Sequence, residues 1–257
     1  MNIKALLVDL DGVIYVQERL IPGAVQAIQM IRNLGIPHRF VTNTTTHTRK
    51  QLTDRLKQVG ITISFDHLLT APSAAARFLV GIPNVRCYFY TDPHIVEEFE
   101  GIPLDDVRPT HIVVGDVGDR FSYEMMNRIF NMVHNGAEII ALQKNRFWVT
   151  KDGLKLDAGA FIAALEYATG KTARVFGKPS ADFFHQACTS LDLVAKDVTM
   201  IGDDLKADIE GASKAGMQTI FVRTGKDKTI RLEESEGKPD LVLNSIAELP
   251  QILGDSR

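Results

Sequence analysis

At 257 residues the chain has room for one large domain, or for a core carrying a smaller insert. Apolar residues make up 45% and charged residues 24%, an ordinary soluble composition, and the net charge of -3 comes without blocks of like charge. That balance argues against a basic face for nucleic acid or a membrane surface, and no apolar run reaches the roughly 18 residues of a membrane span.

The N-terminal run Ile3 to Leu10 is apolar, apart from Lys4, until it meets acids, as a central parallel strand should be, and it lacks a signal-peptide cleavage pattern. Pro22 opens a helix with apolar positions Ala24, Ile28, Ile31 and Leu34, and Gly35 closes it. A strand over His38 to Thr42 follows, then a helix from the capping-box spacing Thr48-Arg49-Lys50-Gln51 to Val59-Gly60. The stretch from about Ile82 to Thr172 differs. Pro83, Pro93, Pro103 and Pro109 punctuate it, and its units are weaker: Val85–Tyr90, His111–Gly115, Ser122–His134, Glu138–Leu142 and a helix from Gly159 to Ala168. Strong alternation resumes with a strand over Asp197 to Gly202, a helix from Leu205 to Ala215, strands over Gln218 to Val222 and Asp240 to Leu243, and a last helix capped by Ser245. The expected fold is α/β: a doubly wound parallel-sheet core over 1–81 and 173–257, with a second α/β domain inserted over 82–172. Cys87 and Cys188, the only two cysteines, lie far apart, so no disulfide framework is expected and the default location is a reducing cytoplasm.

Ligands of open parallel sheets bind at the carboxyl ends of the strands, and three such ends here carry polar residues suited to phosphoryl transfer. The first is Asp9-Leu10-Asp11-Gly12. Strand alternation aims both carboxylates the same way, a costly pairing unless a cation neutralises them, and Gly12 lets the backbone turn away. One carboxylate suits a nucleophile and the other a general acid/base; an acidic turn remains open. A calcium loop fails on spacing, since Ile14 and Leu20 stand where glycine and glutamate belong. The second end, Thr42-Asn43, offers donors for phosphate but equally reads as helix capping. The third joins Gly177-Lys178-Pro179 with Gly202-Asp203-Asp204 and Asp208. It supplies one positive charge and hard oxygen ligands suited to Mg²⁺, although Asp204 and Asp208 read equally as structural. The histidines show no metal-ligand spacing.

Asp-x-Asp-Gly, Thr-Asn, Gly-Lys-Pro and Gly-Asp-Asp, in that order at strand ends, resemble the haloacid dehalogenase superfamily across essentially the whole chain. Within it the sequence is similar to the NagD-like branch, whose α/β cap lies between the second and third motifs. That branch includes nitrophenyl-phosphate and phospholysine–phosphohistidine–pyrophosphate phosphatases. Supporting stretches are Phe40 to Thr45, Lys151-Asp152-Gly153-Leu154, Ala164 to Thr169 and Met200 to Asp204. The resemblance implies a phosphatase with Asp9 as nucleophile and Asp11 as acid/base and, through its main-chain carbonyl, metal ligand. Gly12, Thr42, Asn43 and Lys178 would then bind phosphate. Asp9, Asp11 and Asp203 would hold Mg²⁺, with Asp204 and Asp208 in support. Asp11 fits hydrolysis, where the ion pumps carry Thr and the dehalogenating relatives need no acid. Val13 stands where Thr often follows, but several phosphatases of this branch carry Val.

In the insert, Lys144-Asn145-Arg146-Phe147-Trp148 and the stretch Lys151 to Gly159 are the expected substrate contacts. Arg146 is there to pair with an anionic small metabolite, and Trp148 either to stack on it or to pack in the cap. No nucleic-acid or membrane partner is expected; a homodimer fits the branch. Competing readings are a phosphotransferase or mutase on the same intermediate, a phosphate-binding regulatory module, and a nucleotide-binding kinase or dehydrogenase. The last founders on Gly225-Lys226, because a Walker loop needs glycine where Ile220 stands.

Overall fold

The computed structural model describes residues 3–17, 19–150, 153–225 and 238–254, and side chains for all of these except 148–150. The chain divides into two compact units, one formed by 1–42, 49–69 and 178–257, the other by 43–48 and 70–177.

In the first unit the strand Ala5–Asp9 is buried at every position, as its unbroken apolar run requires. It sits inside a six-stranded sheet of order Leu241–Leu243, Gln218–Val222, Val198–Gly202, Ala5–Asp9, His38–Thr42 and Leu68–Thr70. Both neighbours of Ala5–Asp9 pair with it in parallel. The chain thus leaves the central strand toward one edge and later returns on its other side. This is the strand-order reversal at which open α/β sheets form their ligand crevice. The helix Ala24–Asn33 presents Ala24, Ala27, Ile28 and Ile31 to the core. Phe40, Ile201 and Ile220 join the same cluster, and each such fully buried side chain contributes roughly 1.5–3 kcal/mol relative to exposure.

One expected helix is built differently. Residues Leu205–Glu210 form a π-helical turn, and only Gly211–Lys214 is α-helical. Asp204 caps its start: its carboxylate accepts the otherwise unpartnered amides of Lys206 and Ala207, and its carbonyl accepts those of Asp208 and Ile209, the last an i to i+5 bond of the wider turn.

The second unit holds a parallel sheet of order Arg174–Val175, Glu138–Ala141, His111–Val114 and Cys87–Tyr90. The helices Tyr123–His134 and Ala158–Thr169 pack on it through Ile129, Val133, Ile162 and Leu165. Ser122 caps the first through its hydroxyl and Asp157 the second through its carboxylate. An antiparallel hairpin, Phe147–Thr150 with Gly153–Leu156, lies within the stretch expected to touch substrate. Lys151, Asp152, Lys226 and the side chain of Trp148 lie outside what is described. Cys87 and Cys188 are both buried and free. Among the described residues no helix is long and apolar enough to cross a membrane.

Candidate active site

Register brings the motifs of the first unit together. Asp9, the last residue of its strand, is level with Val41, and Val8 is level with Ile201. Thr42 therefore lies one step beyond the residue opposite Asp9, at the end of one flanking strand, and Asp203 directly follows the end of the other. All three are nearly inaccessible, at 5% exposure for Asp9, 2% for Thr42 and 5% for Asp203.

Lys178 links the site. Its ammonium donates to Asp9 Oδ1 at 2.6 Å and pairs with Asp208 Oδ1, also at 2.6 Å. The other Asp208 oxygen accepts the backbone amides of Asp203 and Asp204 at 3.2 and 3.1 Å. The π-helical turn thus brings Asp208 back over the strand end. One carboxylate oxygen from each of Asp9, Asp203 and Asp208 lies within 4.8 Å of the others.

Burial dominates the electrostatics. It pushes the Asp9 carboxyl up to about 7, with Asp203 and Asp11 adding to the rise and Lys178 opposing it. Burial likewise raises Asp208 to about 7 against the pull of Lys178. Burial disfavours charge on Lys178, but the Asp208 and Asp9 carboxylates outweigh it and hold the ammonium above its ordinary range.

Two of these three buried carboxylates pair with the one ammonium and the third lies beside them, and their oxygens are hard donors. The excess of negative charge would suit a hard divalent cation, with Asp9 and Asp203 as its carboxylates, because Asp208 is already held by backbone amides.

Asp11 is placed otherwise than Asp9. The strand ends at Asp9, so alternation stops there; Asp11 is exposed, in an isolated bridge to Tyr15. Gly12 follows at φ 84°, donating its amide to the Tyr15 carbonyl. A Cβ on Gly12 would lie 2.2 Å from Asp203 Cγ, so this position excludes any side chain on space as well as on φ.

Asn43, Asn145 and Arg146 belong to the second unit. There the Asn145 and Arg146 carbonyls accept the amides of Gly159 and Asp157, which fixes this loop against the start of the Ala158–Thr169 helix. Buried Gln143 ties it further, donating to the Asp157 carboxylate and accepting the Asn145 amide. Asn145 is half-buried and Arg146 exposed. Sequence reasoning did not find Thr224 and Gly225. Thr224 Oγ1 donates to the Gly12 carbonyl at 2.5 Å, and Gly225 lies against the Asp203 carboxylate. The available signal was a Thr-Gly pair just past an apolar strand.

The parallel sheet is shared with proteins this chain resembles. Residues 6–104 match the haloacid dehalogenase-like hydrolase family, and 175–249 match a HAD-hydrolase-like family. The chain is 39% identical to haloacid dehalogenase-like hydrolase domain-containing protein 2 of Mus musculus, across 95% of this chain and 93% of that one. It is 36% identical to the phospholysine phosphohistidine inorganic pyrophosphate phosphatase of Xenopus laevis, across 98% and 95%. Its fold superposes on the p-nitrophenyl phosphatase of Archaeoglobus fulgidus with a TM-score of 0.91, at 30% identity, across 98% and 100%. The protein belongs to the haloacid dehalogenase-like hydrolases.

Proposed function

We propose that the protein is a magnesium-dependent phosphatase of small phosphorylated metabolites, working through an aspartyl-phosphate on Asp9. The observation that carries this reading is the buried Asp9–Lys178–Asp208 chain beside Asp203. It keeps a carboxylate in place, gives it one cationic neighbour and surrounds it with further oxygens, which suits a reaction made mainly of positioning and charge neutralisation. The relatives named above as phosphatases support the hydrolysis of a phosphate.

An Asp9 oxygen attacks phosphorus, and the bond from phosphorus to the leaving oxygen breaks. Asp11, exposed on the loop beyond, gives that oxygen a proton. Water then attacks the aspartyl-phosphate, Asp11 takes its proton, and inorganic phosphate leaves with Asp9 restored. Lys178 and Thr42 hold the transferring phosphoryl oxygens, with Gly12 and the Asn43 amide assisting. Asp9, the Asp11 carbonyl and Asp203 would hold Mg²⁺, which supplies neutralisation of the phosphoryl charge. Asp208 has both oxygens engaged by Lys178 and backbone amides, so its part is to orient, and Asp204 supports by fixing the turn.

Substrate choice falls to the insert over 82–172, a cap in this reading, with Asn145 and Arg146 as contacts for an anionic metabolite. Two buried free thiols accord with a cytoplasmic setting.

The test is phosphate release from sugar phosphates, nucleotides, pyridoxal phosphate, pyrophosphate and phosphoramidates. Release should require Mg²⁺, stop with EDTA, and be lost in Asp9→Asn. Turnover that survives chelation removes the metal assignment, and turnover in Asp9→Asn removes the nucleophile.

A further inference from the structure

We propose that Thr224 and Gly225 form a latch that positions Asp203, and with it the Asp9–Gly12 loop, for metal binding; this rests on the function proposed above. The Gln218–Val222 strand pairs in parallel with Val198–Gly202, with Gly202 level with Phe221. The chain leaving this strand therefore passes beside Asp203. Thr224 then donates its hydroxyl to the carbonyl of Gly12, 212 positions earlier in the chain. That bond joins the segment after one strand to the loop after another.

Gly225 closes the arrangement by its lack of a side chain. A Cβ there would lie 1.9 Å from Asp203 Oδ2 and 2.7 Å from the Gly12 Cα. A Cβ on Gly12 would meet the same carboxylate from its own direction, 2.2 Å from Cγ and 2.3 Å from Oδ2. The Asp203 carboxylate is thus confined between two glycine backbones, and the Thr224 hydrogen bond holds those backbones together. A carboxylate so confined keeps one orientation with no ligand to impose it. Groups that orient a metal ligand typically shift metal affinity by about 10–100-fold when removed.

The experiment uses the full chain with Thr224→Val, Thr224→Ser and Gly225→Ala. Mg²⁺ binding is measured by calorimetry without substrate, and p-nitrophenyl phosphate turnover is measured across a Mg²⁺ titration. Thr224→Val and Gly225→Ala should weaken Mg²⁺ binding about tenfold or more. In Thr224→Val, kcat should return toward wild type at saturating Mg²⁺ with KM unchanged, whereas general structural damage would lower kcat at every Mg²⁺ concentration. Thr224→Ser, which keeps the hydroxyl, should bind Mg²⁺ as the wild type does.

Wild-type Mg²⁺ affinity in Thr224→Val overturns the latch while leaving the phosphatase reading intact. A wild-type chain that binds no Mg²⁺ overturns both. A chain that binds Mg²⁺ but releases no phosphate from any substrate overturns the phosphatase reading alone. If Thr224→Val does not fold, Thr224→Ala takes its place with the same expected and overturning results.

Discussion

Lys178 and Asp11 occupy opposite environments, and substitutions at them should separate cleanly. Lys178 is the ammonium between buried Asp9 and Asp208. Lys178→Met leaves those carboxylates unpaired, so it should lower unfolding free energy by about 3–5 kcal/mol, read from urea unfolding of the metal-free chain. Its lost activity would then say little about chemistry. Adding Asp208→Asn should recover part of that loss, and failure to do so would mean the charges are not what the lysine offsets. Asp11 is exposed. Asp11→Asn should cut kcat by about 10²–10⁴-fold with the thermal midpoint and Mg²⁺ affinity unchanged; a matching drop in stability would contradict a purely chemical role. Asp9, Thr42, Lys178 and Asp203 were legible in the sequence because each sits directly at or beside an apolar run or a proline. Thr224 and Gly225 were not. Their significance comes from the Gly12 carbonyl and the Asp203 carboxylate they meet, and only the strand order brings those close.

At the scale of elements, Ala5–Asp9 could be read because a strand buried on both faces is largely apolar, and His38–Thr42 and Gln218–Val222 because an apolar pair and an apolar triplet, Phe40-Val41 and Ile220-Phe221-Val222, lie in their carboxyl halves. The helix Ala71–Val80 could not. Alanines and a proline dominate it, five residues in succession are buried at its start, and it follows the strand Leu68–Thr70 without a turn, so no 3.6-residue stripe stands out. Its signal was local. Thr70 and Ser73 each accept the other's backbone amide through their hydroxyls, and Pro72 sits in the first turn. Thr70→Ala should therefore destabilise the protein by about 1–2 kcal/mol, measured by urea unfolding, and an unchanged midpoint would show the box to be dispensable. The π-helical turn at Leu205–Glu210 was also hidden, because its apolar spacing imitates an α-helix. What distinguishes it is the Asp204 carbonyl, which accepts the amides of both Asp208 and Ile209, a sharing that no apolar spacing records.

Over the whole molecule, buried and half-buried imidazoles tie stability to pH. Burial lowers His38, His67 and His111 below their ordinary value, and the Arg32 and Arg39 charges lower the first two further. At pH well above about 6.5 these rings are neutral folded and unfolded alike. As pH falls through that value the unfolded chain takes up protons first, so stability is lost on the acid side until the folded rings also titrate. The raised carboxyls of Asp9 and Asp208 act in the opposite sense. A difference measurement removes them: the advantage of the wild type over His38→Gln in urea unfolding should shrink between about pH 7.5 and about pH 5.5. An advantage independent of pH would exclude His38 as the source.

The strand order also imposes a schedule on biosynthesis. Ala5–Asp9 lies inside the sheet, yet one of its two neighbours is Val198–Gly202. The ion pair between Lys4 and Asp197 spans 193 positions, and at ribosomal speeds of about 5–20 residues per second that interval lasts roughly 10–40 s. For that time the first strand made is an open edge of bare amides and carbonyls, the surface that invites pairing with other chains. Nascent chains stalled before residue 198 should therefore be cut by protease within their first strands and aggregate when released, while chains stalled beyond the sheet's last strand should resist.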